Sequence, residues 1–300
     1  MMYHTKMIFQ ITLLFIFFSS LIYASDIPDF PESQTVFSGE IRSVICSGSG
    51  FASVKKGTDP EDGKKRAMEV ARRFVLRKSN DVILRKLAVF KDGFGFELEE
   101  FQPGEYVKIL SEKEVKPPVR ESKDMYGVRI IAEVCYKLPD FQDHEKMLSY
   151  PELPLTVRVW SKKQSYIQGE KIIFYMRGNR DFYARMIDIS PRGEMVQLLP
   201  NKKRKNHFYK AGVTYLFPDP VADDFDLKVS PPFGEETVLL YAAERPLRKL
   251  PFSENSGTFG IIDGTEREIS EQIRKPESDS KEFSAMDFFE SRWLVRTSGK

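Results

Sequence analysis

The chain of 300 residues carries 46 Lys and Arg against 44 Asp and Glu, a formal net charge of +2. That balance excludes a global electrostatic pull toward nucleic acid or membrane. Its apolar share of 41% and aromatic share of 13% suit a globular chain with material for two cores, and its two cysteines are too few for a closed zinc site.

The first 24 residues read as a signal peptide. Lys6 is a basic n-region, Met7 to Phe18 is an almost unbroken apolar run, and Ser19 to Ala24 supplies a cleavage region. Retention as an N-terminal anchor is the other reading, although the run is short for a spanning helix. No cysteine follows the cut to take a lipid, and no later stretch is apolar enough to span. The mature chain is therefore expected to be exported, periplasmic or envelope-associated, with no transmembrane segment after cleavage. Export opens an oxidising compartment to Cys46 and Cys135.

Residues 25–40, with two prolines, read as an extended arm. Glu40 to Ala52 reads as a strand ending in small residues. Asp59 is placed to cap a helix, with Pro60 at its first position and Glu61 and Asp62 in its first turn. The helix runs to about Asn80, or on through Leu87. Gly63, Ala67 and Ala71 recur at every fourth position, so the axis can lie close to a sheet. The opposite side is expected to carry Lys64, Lys65, Arg66, Arg72, Arg73, Arg77 and Lys78, as a solvated face or as one for an anionic partner. A loop over Lys91 to Gly104 follows. Two strands come next, Tyr106 to Ser111 (or on to Val115) and Tyr126 to Tyr136, joined through Pro117 to Asp124.

This strand-helix-strand-strand order, with Gly63 to Ala71 as the small-residue helix, resembles the N-terminal domain of flagellar assembly protein T and related small envelope lipoproteins. The resemblance covers about Ile41 to Leu138 and implies a periplasmic or outer-envelope module used in assembly, without catalysis. The lipidated cysteine of the lipoprotein relatives is absent. In the resembled fold the first and last strands share one small sheet, which implies that Cys46 and Cys135 approach bridging distance. Two reduced, buried thiols are the alternative.

Residues 139–154 read as a linker, with prolines at both ends and His144 inside. Residues 155–246 contain seven expected strands: 155–161, 171–177, 182–189, 194–199, 213–217, 225–229 and 236–243. The hairpin at their centre is the clearest. Phe182, Ala184, Met186 and Asp188 alternate with Tyr183, Arg185, Ile187 and Ile189, and Ser190-Pro191-Arg192-Gly193 suits a tight turn. Short strands with turns at this spacing predict a β-sandwich. The expected fold class is thus an α+β module followed by an all-β sandwich.

Tyr166-Ile167-Gln168-Gly169-Glu170 and the Gly193 to Asn201 return strand resemble the Y-x-x-G-[DE] and G-x-[IV]-x-L-[LF]-P-N segments of a bacterial family of unknown function. Gly212 to Pro218 and Pro232 to Leu240 are similar to two further segments of that family. This resemblance implies a sandwich module of exported or surface proteins with no known catalytic residues. Ser190-Pro191 departs from it, since an acidic residue or asparagine is more usual there.

Residues 247–300 read as an extension. Leu250 to Gly264 is loop-like, Thr265 to Ile273 is a short helix with Thr265 and Glu268 as a capping box, and Lys275 to Lys281 is polar. Ser284 to Phe289 is expected as another helix and Trp293 to Thr297 as a last strand.

Candidate chemistry is sparse. His144 and His207 are the only histidines past the signal segment, which leaves few bases for a Ser-His-Asp arrangement. Lys202, Lys203, Arg204 and Lys205 form a candidate interaction surface for an anion, or a solvated loop. Asp219, Asp223, Asp224 and Asp226 suggest calcium or simply an acidic turn, without the spacing of a calcium loop. No catalytic, cofactor or metal residue is assigned, and no cofactor is expected. The functional expectation is a non-catalytic exported envelope protein that binds or assembles. Its partner would be an envelope protein or cell-wall component, with no nucleic acid. An envelope hydrolase using sandwich carboxylates is an alternative that a cleft with two facing carboxylates would favour. An accessory of a flagellar or secretion apparatus is another.

Overall fold

The computed structural model describes residues 40–54, 59–88, 103–117, 125–138, 144–251, 258–275 and 284–300. The signal segment, nearly all of the arm, and most of the expected 91–104 loop, 117–124 connection and 275–281 polar stretch lie outside these residues.

Strand β1 (Ile41–Ser53) is followed by helix α1 (Pro60–Ala88). Asp59 caps the helix as expected, its Oδ1 accepting from the Glu61 amide at 3.0 Å. Ala67, Ala71 and Val75 are fully buried beneath α1, and the inward side continues through Ile83 and Leu87, so the longer of the two helix ends is the one observed. The approach to β1 is close: a Cβ on Gly50 would sit 2.0 Å from the Ala67 carbonyl oxygen. Strands β2 (Val107–Glu114) and β3 (Met125–Tyr136) complete the strand-helix-strand-strand unit, with β3 between β1 and β2.

A short α2 (His144–Met147) falls in the expected linker. Met147 and Leu153 are buried in the same core as the inner face of α1, so this stretch is packed structure. The strands that follow are β4 (Val157–Ser161), β5 (Ser165–Ile167), β6 (Lys171–Ile172), β7 (Phe174–Gly178), β8 (Phe182–Ile189) and β9 (Met195–Leu199). After them come β10 (Phe208–Tyr209), β11 (Tyr215–Phe217), β12 (Leu227–Lys228), β13 (Glu235–Ala243) and β14 (Gly260–Ile262). Each of the seven expected strands has a counterpart. The β8–β9 turn closes with the Gly193 amide donating to the Ser190 carbonyl at 2.9 Å, and Gly193 takes the positive φ of 82° that favours glycine. Helix α3 (Glu266–Arg274) has its capping box, Thr265 accepting from the Glu268 amide while Glu268 accepts from the Thr265 amide.

The C-terminal expectation needs one correction. Ser284 to Phe289 contributes no helix; Met286–Ser298 is a single 13-residue strand, β15. Met286, Phe288 and Glu290 are buried on one face, and Asp287, Phe289, Ser291, Trp293, Val295 and Thr297 on the other. A strand buried on both faces loses the clean alternation that identifies a half-exposed one.

β15 is the centre of the molecule. The main sheet runs β14-β9-β8-β13-β15-β1-β3-β2, with β10 and β5 attached to β8 and β15. β15 pairs with β13 through nine positions and with β1 through five, so the α+β unit and the sandwich share one antiparallel sheet. On one face, α1 covers Val44, Cys46, Val128, Ile130, Ala132 and Val134. The same face, further along, packs Val238, Leu240, Ala242, Phe289, Trp293 and Val295 against residues of the three-stranded sheet β11-β7-β4, which makes the sandwich. The opposite face holds Ile45, Ile131, Ile187, Leu239, Tyr241 and Phe288 under α3 through Ile269 and Ile273. The sandwich core is therefore not closed at Pro246; it takes three large side chains from β15. No helix among the described residues is long and apolar enough to cross a membrane.

Candidate functional site

Asp188 sits on the inward face of β8, where the alternation with Phe182, Ala184 and Met186 puts it. It lies opposite Val238 of β13, so Glu236, two residues further along β13, is its diagonal neighbour on the same face. Side chains in that relation have Cβ atoms about 7 Å apart, within reach of each other's charge. They open into a cavity of about 210 Å³ bounded by Ile172, Phe174, Leu198, the β8–β9 turn at Ser190 and Pro191, the Leu227–Pro232 segment and Thr297.

The end of β15 frames Glu236. The Thr297 hydroxyl contacts Glu236 Oε1 at 3.0 Å, and Gly234 and Thr297 exchange backbone hydrogen bonds of 2.7 and 3.1 Å. Gly234, with φ of 150°, lets this segment pass close to the turn: a Cβ there would lie 3.0 Å from Pro191 Cβ.

Both carboxyls are harder to ionise than usual. Burial, and then the negative charge of Glu236, push Asp188 up to about 7. Its Oδ1 is shielded from solvent and has no hydrogen-bond partner. Glu236 is also raised by burial, partly offset by its bond from Thr297. A donor bearing positive charge would relieve both effects at once. Lys228 lines the cavity yet is exposed, and among the described residues it forms no ion pair with either acid. Among the described residues no group of three His, Cys, Asp or Glu side chains is arranged to hold a metal ion.

The basic run and the acidic cluster singled out in the sequence meet each other. Lys203 Nζ is 2.6 Å from Asp224 Oδ1, and Arg204 Nη1 is 3.1 Å from Asp223 Oδ2 and 2.7 Å from the Leu216 carbonyl. Asp226 takes Lys171 at 2.8 Å, while Asp219 Oδ1 accepts from the Val221 amide at 2.9 Å. Lys203 holds the Asp224 carboxyl below its ordinary range. Within the expected surface Lys202, Lys203, Arg204 and Lys205, Lys203 and Arg204 brace the acidic turn, and Lys202 and Lys205 are exposed beside them. His207 lies beside Tyr183, its ring tilted by 41° with centroids 5.4 Å apart.

The cysteine expectation is corrected by strand parity. β1 and β3 are neighbours, as the resemblance implied, but Cys46 lies opposite Ala132 while Cys135 lies opposite Ser43. The two thiols are offset by three positions, about 10 Å along the strand, and point to opposite faces of the sheet. Both are free. Burial raises the Cys46 thiol, which lies 3.4 Å from the Ser79 hydroxyl, and pushes Cys135 up to about 11.

Asp188 and Glu236 were not singled out in the sequence. The available signal was an acidic residue on the apolar parity of the best-defined strand.

No curated protein and no solved structure matches the chain. One family model does, starting at β5 and ending just past β13, so it takes in both cleft carboxylates but neither α1 nor β15. Residues 165–246 of the C-terminal region are a domain of unknown function (DUF4384).

Proposed function

We propose that this chain is an exported cell-envelope protein that works by binding, its Asp188–Glu236 cleft receiving a cationic group of an envelope protein or cell-wall component. The signal-like first 24 residues support export. The observation that carries the binding reading is the shielded, unpartnered Oδ1 of Asp188 beside a second carboxyl. A cavity of about 210 Å³ suits one ammonium or guanidinium head rather than a whole small molecule. Both carboxyls stand on one wall, on adjacent strands, instead of flanking a bond from opposite sides as glycosidase carboxylates do. A lysine-rich peptide is expected to bind the protein, with Asp188→Asn weakening it at least about tenfold through loss of a charge-assisted bond. Equal affinity of the variant contradicts the reading.

One observation favours an envelope hydrolase instead: a carboxyl pushed up to about 7 can hold a proton for general acid catalysis beside an ionised partner. That reading requires wall-polymer hydrolysis abolished by both Asp188→Asn and Glu236→Gln. Absence of hydrolysis by the parent protein removes it.

A further inference from the structure

Most of the outward side of α1 is used by neither the fold nor the cleft; Arg66 is the exception, its Nη2 donating to the Ser53 carbonyl at 2.9 Å. From Lys65 to Arg85 its exposed residues are six cations (Lys65, Arg66, Arg72, Arg73, Arg77 and Arg85), two acids (Glu69 and Asp81) and three apolar side chains. Val70, Phe74 and Leu84 are 44%, 42% and 38% exposed. At 100° per residue, these three share a sector about 100° wide with Arg66, Arg73 and Arg77, along a ridge about 30 Å long.

Packing does not explain this composition. α1 is seated on β1 and β3 through Ala67, Ala71 and Val75, with the Phe74 ring at the edge of that contact beside Gly48, so Val70 and Leu84 are not needed for the core. Charge pairing does not explain it either. Arg73 reaches Glu69 at 3.1 Å on the exposed surface, whereas Lys65, Arg72 and Arg77 have no ion-pair partner among the described residues. Arg66, Arg73 and Arg77 share that ridge with the three apolar groups, while Lys65, Arg72 and Arg85 lie to its sides.

We propose that this face docks on an anionic lipid surface, its Lys and Arg side chains meeting headgroup phosphates while Val70, Phe74 and Leu84 enter the interface. Charge complementarity selects an anionic partner, and the convex ridge selects a plane. A partner helix would want a groove with a continuous apolar seam, whereas here the apolar groups are separated by arginines. Long basic side chains suit a lipid surface because their stems lie against apolar material while their heads stay hydrated.

The test is flotation of the full chain with vesicles of phosphatidylcholine, alone or mixed with equal phosphatidylglycerol. The apolar run at Met7 to Phe18 enters either vesicle, so the readout is the difference between the two. Partitioning is expected to be at least about tenfold stronger on the anionic vesicles and to fall with added salt. Arg73→Glu and Arg77→Glu together should erase the difference. Neutralisation of the same two positions to Gln supplies a milder variant if reversal disturbs folding. Val70→Ser with Leu84→Ser should weaken anionic binding severalfold with unchanged circular dichroism. Equal partitioning on both vesicles, or undiminished binding by a folded charge variant, overturns the proposal.

Discussion

Arg274 of α3 places Nε 2.8 Å from Oε1 of Glu133 on β3, joining residues 141 positions apart across a buried interface. The same guanidinium holds Glu290 of β15 at 2.6 Å and lies 4.7 Å from the Phe288 ring centroid, while the Ser43 hydroxyl of β1 donates to Glu133 at 2.7 Å. On the other face of β15, Asp287 takes Lys86 of α1 at 2.7 Å and the Leu155 amide at 2.8 Å. Ionic clusters thus clamp the strand that joins the two halves from both sides.

Replacing Arg274 by Met removes the buried cation that bridges Glu133 and Glu290. Glu133 then loses its ion pair in the interior, Glu290 keeps only the more exposed Arg292 at 3.6 Å, and the expected loss is about 3–5 kcal/mol. Urea denaturation should show a lower midpoint for the whole protein, because the cluster bridges both halves. A change below about 1 kcal/mol would mean that solvent reaches the site and screens the acids.

The fragment 155–246 holds the seven strands expected of the sandwich but lacks Phe289, Trp293 and Val295 of its core. It is expected to melt without cooperativity. Supplying residues 284–300 as a separate peptide should restore a cooperative transition. A fragment that melts sharply alone would show that β15 is dispensable.

Gly50 faces the α1 backbone, where an added Cβ would lie 2.0 Å from the Ala67 oxygen and 2.5 Å from the Ala71 nitrogen. Backbone cannot rotate out of the way as a side chain can. Gly50→Ala should therefore cost about 3 kcal/mol in thermal or chemical denaturation. Gly193→Ala meets no neighbour, and only its positive φ of 82° opposes it, so about 1 kcal/mol is expected there.

Thiol titration should find two free thiols in the unfolded protein prepared without reductant. In the folded protein Cys46 should resist alkylation, since it is fully buried and its thiol is raised. A count of zero would contradict the β1–β3 register.

Much of this fold was legible because local chemistry is unambiguous where one side of an element faces solvent. The α1 cap and its every-fourth small residues, the 182–199 hairpin and the Thr265 box are all of that kind. The first half of β15 was misread as a helix because burial on both faces removed its alternation, whereas the alternating second half, Trp293 to Thr297, was read as a strand. The linker at 139–154 was misread for a related reason: Met147 and Leu153 find their core only once α1 is in place. The basic run at 202–205 and the acidic cluster at 219–226 were each visible, but their pairing across the intervening strand was not. Asp188 carried a signal in its parity. Its significance needed Glu236, which only the β8–β13 register brings beside it.

The account rests most heavily on Asp188, and its titration is the direct measurement. Its carboxyl is raised from an ordinary 3.8 to about 7, so the folded state holds a proton that the unfolded chain releases at lower pH. The stabilisation is complete below pH 4 and is lost as pH rises through about 7, with an upper bound of about 4 kcal/mol. Carbon NMR of the Asp188 carboxyl should show an apparent pKa near 7 in the free protein, downward movement on adding a lysine-rich peptide, and no response to an aspartate-rich control. Asp188→Asn should flatten the fall in stability between pH 4 and 8. An Asp188 that titrates near 4 and ignores the lysine-rich peptide would contradict the assignment of the cleft as a site for a cationic group.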